Sequence, residues 1–283
     1  MKTITSHFTH LFFYILIAHP GVNAQSEIPI EIDGGGYIFL IVKINDTDDA
    51  KFMLDTGAGI NVISSRLFEK YSPEKAGLHT GTRHNGETIS GMLYKLASLS
   101  VGSIKKENVI VGTYERLQNC DGLLSMDYFR DVPFTIDFIQ KKLIFESPQK
   151  LSSIAKNAEH IPIELKRNGK NELDFFVTIC ANDSIKMKAE FDTGAGFNML
   201  MVQTRFLKSL HIDLPGNKQD YGYYLYSTFL QTLAYCGSAS LKQEHVFIGF
   251  KEGLIYDALI GSGMFRNKKL TINLAGLEMF SSN

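Results

Sequence analysis

Asp55-Thr56-Gly57-Ala58-Gly59 recurs, 137 residues on, as Asp192-Thr193-Gly194-Ala195-Gly196. Strand-like leaders, Phe52-Met53-Leu54 and Ala189-Glu190-Phe191, run into the two copies, and Ile60-Asn61-Val62-Ile63 and Phe197-Asn198-Met199-Leu200 run out of them. Each Asp therefore falls where a strand breaks into a turn. A loop held at a strand end is a good platform for a functional carboxylate. Chance recurrence of a five-residue string is improbable, so the pattern points to a duplicated unit.

The duplication extends well beyond the two loops. At the same offset Asn45-Asp46-Thr47 falls on Asn182-Asp183-Ser184, and Glu107-Asn108-Val109-Ile110-Val111-Gly112 on Glu244-His245-Val246-Phe247-Ile248-Gly249. After one deletion the offset is 136, and Asp121-Gly122-Leu123-Leu124 pairs with Asp257-Ala258-Leu259-Ile260 and Phe134-Thr135-Ile136-Asp137 with Leu270-Thr271-Ile272-Asn273. Ile28-Pro29-Ile30-Glu31 and Ile161-Pro162-Ile163-Glu164 open the copies, with an insertion over residues 168–171 in the second. Two copies of this size predict two lobes rather than a solenoid, which needs several short repeats to close a core. The expected boundaries are a first lobe over residues 25–150 and a second over 151–283. Residues 147–159, with Pro148, serines, lysines and no apolar periodicity, read as the connector.

The N-terminus has the anatomy of a secretory signal peptide over residues 1–24: Lys2, an apolar run over residues 11–18, the breaker His19-Pro20-Gly21, then Val22-Asn23-Ala24. The run is shorter than a membrane-spanning helix requires, so cleavage near Ala24 is expected, with export to periplasm or medium and no stable membrane insertion afterwards. Three cysteines, Cys120, Cys180 and Cys236, allow at most one internal disulfide, and they read chiefly as small buried apolar residues. A formal net charge of -1 with scattered basic residues gives nothing for a nucleic acid to bind. The Asn45 and Asn182 motifs are formal glycosylation patterns, but lying between strand-like runs they read as hairpin turns.

Short runs rich in Val, Ile, Phe and Tyr recur over residues 37–44, 51–54, 93–101, 108–111, 134–138 and 142–145, separated by turn residues. This is an all-β pattern. Only residues 65–71, 126–130, 202–210 and 263–266 read as helical, so the expected architecture is mostly antiparallel β with short helices.

A pair of carboxylates in contact cannot both ionise and shares one proton. The ionised member can then take a proton from water while the other donates to a carbonyl, which is peptide hydrolysis without metal, cofactor or covalent intermediate. Asp55 and Asp192 are the candidate pair. Gly57 and Gly194 allow the close backbone approach this needs, and Thr56 and Thr193 are placed to brace the loops through their hydroxyls. No His-Glu-x-x-His, Cys-x-x-Cys or Gly-x-Ser-x-Gly occurs. His79, His84, His160, His211 and His245 make no ligand-spaced cluster and read as surface or core residues.

These residues resemble the aspartic peptidases of the pepsin and retropepsin type, which place Asp-Thr-Gly at a strand end and follow it with two apolar residues and a glycine. Leu259-Ile260-Gly261 matches that second element, and Leu123-Leu124-Ser125 matches it except at Ser125. The resemblance implies two homologous retropepsin-like β-barrel lobes related by a pseudo-twofold axis, a fused dimer in one chain. It implies catalysis by Asp55 and Asp192 and a peptide or unfolded protein as substrate. A flap over the site is expected in the hairpin-like stretch over residues 85–93, with Gly86, Gly91 and Met92, and Tyr221-Gly222-Tyr223-Tyr224 corresponds to it in the second lobe. Pepsin-like loops carry Ser or Thr where Ala58 and Ala195 stand, so a dyad active closer to neutral pH is expected. The competing reading is a peptide-binding module on the same fold without turnover. A third arrangement, lobes pairing between chains, is less economical than an internal pseudo-dimer joined by its own linker.

Overall fold

In Ile38–Ile44 and Asp48–Leu54 side chains alternate between core and solvent, the period-two pattern of a half-buried strand. Leu40, Val42 and Ile44 pack inward with Ala50, Phe52 and Leu54, while Lys43 and Asp49 pair outside at 2.8 Å. The connecting residues Asn45 and Asp46 have positive φ, 50° and 62°, as do Asn182 and Asp183, 45° and 61°, in the second half. Both sites are tight hairpin turns whose twist suits the flanking strands. The Asn45 and Asn182 side-chain oxygens accept the Ser98 and Thr232 N–H groups.

The computed structural model describes residues 27–115, 117, 119–168, 172–213, 226–238 and 240–283. The signal-like segment and Tyr221-Gly222-Tyr223-Tyr224 lie outside the described residues, as does most of the expected insertion. The architecture is all-β, two closed six-stranded barrels with short helices. In the first, the ring runs through Ile38–Ile44, Asp48–Leu54, Gly122–Leu124, Asn61–Ser64, Ile104–Tyr114 and Thr88–Val101 and closes on Ile38–Ile44. The second repeats this with Glu172–Ala181, Ile185–Phe191, Ala258–Ile260, Leu200–Gln203, Lys242–Lys251 and Tyr226–Tyr235. Closure removes the unpaired edges that would invite aggregation.

A further antiparallel sheet joins the lobes. Glu27–Pro29, Lys142–Phe145 and Phe134–Asp137 from the first half continue into Lys269–Asn273, Glu278–Ser282 and Glu159–Asn168 from the second. At its centre Thr135 lies opposite Thr271, their hydroxyl oxygens 2.7 Å apart. These are equivalent positions of the repeat, so the pseudo-twofold axis passes between them.

Several sequence expectations need correction. The stretch read as a featureless connector contains a helix, Pro148–Asn157, with Pro in its first turn and the Ser147 hydroxyl accepting the Lys150 N–H. None of its side chains is buried, so it adds nothing to the hydrophobic core that marks the other elements. The expected helix over residues 202–210 is instead the end of strand Leu200–Gln203 and a single 3-10 turn, Thr204–Phe206. Strand Glu74–Thr82 was not visible, because its mostly exposed side chains leave no hydrophobic alternation. Cys180 and Cys236 form a disulfide, with Cα atoms 5.2 Å apart, rather than serving as separate apolar fillers. Cys120 is free.

Candidate active site

Each Asp-Thr-Gly loop is hung on a parallel strand pair that crosses the core of its lobe. Leu54 lies opposite Leu124 and Phe191 opposite Ile260, and the pairing continues one step: Asp55 N–H donates to the Leu124 carbonyl at 3.0 Å and Asp192 N–H to Ile260 at 2.9 Å. The two-apolar-residue elements thus set the height at which each carboxylate leaves its sheet. Gly261 has no space for a side chain, since an added Cβ would lie 2.0 Å from the Gly196 carbonyl oxygen. Ser125, its counterpart, is fully buried and donates its N–H to Asn61 Oδ1 at 2.9 Å. The first lobe therefore accommodates the hydroxymethyl group by tying Ser125 to Asn61.

The loops meet at the lobe boundary. Thr56 Oγ1 donates to the Phe191 carbonyl at 2.5 Å and Thr193 Oγ1 to Leu54 at 2.7 Å. Each hydroxyl also accepts the other threonine's N–H, at 2.9 and 3.1 Å. Both threonines are fully buried, where four satisfied polar groups fix the spacing firmly. A Cβ built on Gly57 would lie 2.5 Å from Asp192 Cγ, and one on Gly194 2.6 Å from Asp55 Cγ. Only glycine permits each carboxylate to lie against the opposite loop. The other lobe also holds each loop's tail: Phe197 N–H donates to Gly35 and Leu173 N–H to Gly59.

Asp55 and Asp192 consequently face one another across the lobe boundary. Burial pushes Asp55 above the ordinary carboxylate range, opposed by the Asp192 hydrogen bond and by the Ala58 and Gly57 N–H groups, which reach its Oδ1 at 2.9 and 3.0 Å. Asp192 is pushed further up, by burial first and then by the Asp55 charge and their mutual hydrogen bond. Both carboxyls are thus raised, Asp192 the more.

Asp192 opens onto a cavity of about 540 Å³ lined by Ala58, Ile60 and Leu123 from the first lobe and by Asp174, Glu190 and Leu259 from the second. Hairpin Glu74–Thr82 with Thr88–Val101 covers it. Gly86 sits at the tip, with φ 83° and its N–H on the Arg83 carbonyl. Gly91 and Met92 lie on the returning strand opposite His79 and Leu78 and line the cavity. The tip reaches the second lobe, where Ile255 N–H donates to the His84 carbonyl at 3.0 Å. His79 and His84, read as surface or core residues, also line this cavity.

The carboxyls of Glu190 and Asp174 beside the pair were missed. Glu190 is 5% exposed and Asp174 7%. Burial, then the charges of Asp192, Asp174 and Asp55, push Glu190 up to about 9. The signal was present in Ala189-Glu190-Phe191: with Ala189 and Phe191 facing the barrel core, strand alternation puts Glu190 on the outer face, toward the cleft. Among the described residues no group of three or more His, Cys, Asp or Glu side chains is arranged to hold a metal ion.

Residues 40–128 match the aspartyl protease family. The chain has the aspartyl-protease fold. Solved structures agree on that double-barrel architecture. Basic 7S globulin from soybean superposes with a TM-score of 0.54 at 10% identity, covering 91% of this chain and 94% of its own. Conglutin gamma, a basic 7S globulin from lupine seeds, gives 0.53 at 10% identity over the same shares. At that identity the likeness concerns fold alone. No curated protein matches the sequence.

Proposed function

We propose that this aspartyl-protease fold is an exported aspartic endopeptidase with Asp55 and Asp192 as its catalytic pair. The observation that carries the reading is the reciprocal approach of two half-buried carboxylates, each against the other loop's glycine, across an interface braced by Thr56 and Thr193. Two like charges held together at a desolvation cost serve a pure binding module poorly.

Asp55 takes a proton from water as the hydroxide oxygen bonds to the scissile carbonyl carbon, and Asp192 gives its proton to the carbonyl oxygen. The resulting tetrahedral diol collapses as the C–N bond breaks. Asp55 then gives its proton to the departing nitrogen, and Asp192 recovers one from a diol hydroxyl. The hairpin with Gly86 at its tip covers the bound chain, and Gly91 and Met92 contact it from the returning strand. Closing that hairpin excludes bulk water from the pair.

Export rests on residues 1–24, and the Cys180–Cys236 disulfide supports it, since such bonds persist in oxidising compartments. The interlobe sheet supports a monomer with an internal pseudo-dimer. The test is cleavage of casein across a pH series by the chain from Gln25, beside Asp55→Asn, with and without pepstatin. Cleavage lost in the variant is expected. A folded chain that cleaves nothing, or a variant as active as the parent, overturns the proposal.

A further inference from the structure

Glu190 has no role in the catalytic steps above, yet it is a buried acid at the edge of the reaction cleft. On strand Ile185–Phe191 it lies opposite Phe176 and beside Leu259, with Asp174 diagonally across on the same outer face. Diagonal neighbours in a sheet are within reach of long side chains. Both carboxyls line the cavity together with Asp192 and Tyr256. Glu190 has no hydrogen-bond or ion-pair partner among the described residues. Lys188, two residues earlier on the same face, is committed elsewhere: it pairs with Glu164 and lies over the Phe176 ring. The opposite wall, with Ile60, Val62, Met92, Leu93 and Leu123, is apolar.

Resting on the peptidase reading, we propose that Glu190, aided by Asp174, forms a subsite for a basic side chain of the substrate, arginine or lysine, while the opposite wall takes an apolar one. A buried carboxyl without a partner among the described residues, beside other acids and open to the cleft, is a fit for a hydrogen-bonding cation. A guanidinium supplies donors in a planar fork that fits a carboxylate. The groups facing Glu190 are Asp55, Asp174 and Asp192, with His79, Arg83 and His84 on the covering hairpin beyond the cavity. In the free protein the carboxyl is protonated at neutral pH. When arginine binds, Glu190 ionises and its proton leaves to the buffer.

The experiment is calorimetric binding of two peptides, one carrying arginine and the other the neutral isostere citrulline, to the mature chain and to Glu190→Gln. Asp55→Asn serves as the background that prevents turnover. Titrations at pH 7 in buffers of different ionisation enthalpy count protons, and cleavage of both peptides by the parent chain is followed separately. The arginine peptide is expected to bind about ten-fold more tightly than the citrulline one. Its binding should release a proton in the parent background, and both signatures should vanish with Glu190→Gln. Equal binding, no binding of either peptide, or a preference that survives Glu190→Gln overturns the subsite. Cleavage without discrimination removes the subsite and leaves the catalytic pair standing. Discriminating binding without cleavage does the reverse.

Discussion

Thr56 and Thr193 each accept the other's backbone N–H and each donate a hydroxyl to a strand carbonyl of the opposite lobe, so four hydrogen bonds cross one buried point. Replacing Thr193 by Val keeps the shape but leaves the Thr56 N–H and the Leu54 carbonyl without partners. Unpaired buried groups cost about 1–3 kcal/mol each. Thr193→Val should therefore lower unfolding stability by about 2 kcal/mol or more and reduce peptidase activity sharply, whereas Thr193→Ser should restore most of both. Denaturant titration and casein cleavage check this. Equal behaviour of the Val and Ser variants would assign the effect to packing.

The glycines make a second test. A Cβ at Gly57 would sit 2.5 Å from Asp192 Cγ and one at Gly194 2.6 Å from Asp55 Cγ. Neither glycine has positive φ, so the obstacle is contact and not backbone strain. Gly57→Ala and Gly194→Ala should each fold, push the carboxylates apart and lower kcat by at least about 100-fold, as misplacement of reacting groups by about an ångström does. Unchanged kcat in either variant would show that the pair need not be this close.

These two constellations were legible in the sequence because a duplicated pentapeptide fixes both the chemistry and the symmetry. The hairpin turns at Asn45 and Asn182 were legible from their turn residues, and the helix Ser65–Tyr71, which the structure shows capped by Ser64, was read within the same bounds. What escaped notice depends on neighbours distant in sequence. Helix Pro148–Asn157 buries no side chain. Residues 202–210 look helical in isolation, but pairing of Leu200–Gln203 with Lys242–Lys251 and Ala258–Ile260 makes its opening a strand. Glu190 read as one residue of an apolar leader until its opposite face was known to be the cleft. The Cys180–Cys236 pairing required knowing that Glu172–Ala181 and Tyr226–Tyr235 are adjacent strands.

Glu190 also predicts how stability varies with pH. Its folded value, about 9, lies above the ordinary 4.5, so the folded state holds the proton more tightly than the unfolded one. The resulting stabilisation is complete below about 4.5 and is lost as pH rises toward 9. Glu190→Gln mimics the protonated form at every pH. The variant should match the parent near pH 4 and exceed it at pH 8, on the order of a few kcal/mol. Denaturant midpoints at the two pH values measure this. A constant difference between the proteins would mean that the carboxyl titrates normally.

The disulfide predicts a thiol count and a stability change. Cys180–Cys236 closes a 56-residue separation between a barrel strand and the turn after Tyr226–Tyr235. In the chain-entropy view a loop of this length contributes about 4 kcal/mol. Unfolded without reductant, the protein should show one reactive thiol, Cys120, and after reduction three. Reduction should lower the melting temperature by several degrees. Three thiols before reduction would remove the bond and with it one support for export.

The alanines following the two glycines set the pH range of the proposed reaction. Ala58 offers Asp55 only its N–H, at 2.9 Å, and neither Ala58 nor Ala195 has a hydroxyl to favour the ionised carboxylate. Burial and the close partner both raise Asp192. A raised carboxyl holds its proton to higher pH, so the singly protonated pair needed for turnover persists further toward neutral. Adding donors by Ala58→Ser with Ala195→Ser favours the charged forms, lowers both macroscopic ionisations and moves the whole bell-shaped profile to more acidic pH. The measurement is kcat/KM against pH for the parent and the double variant. A parent active only under strongly acidic conditions would mean that the pair is not raised, and a double variant with an unmoved profile would mean that burial and the partner charge, rather than the missing hydroxyls, set its titration.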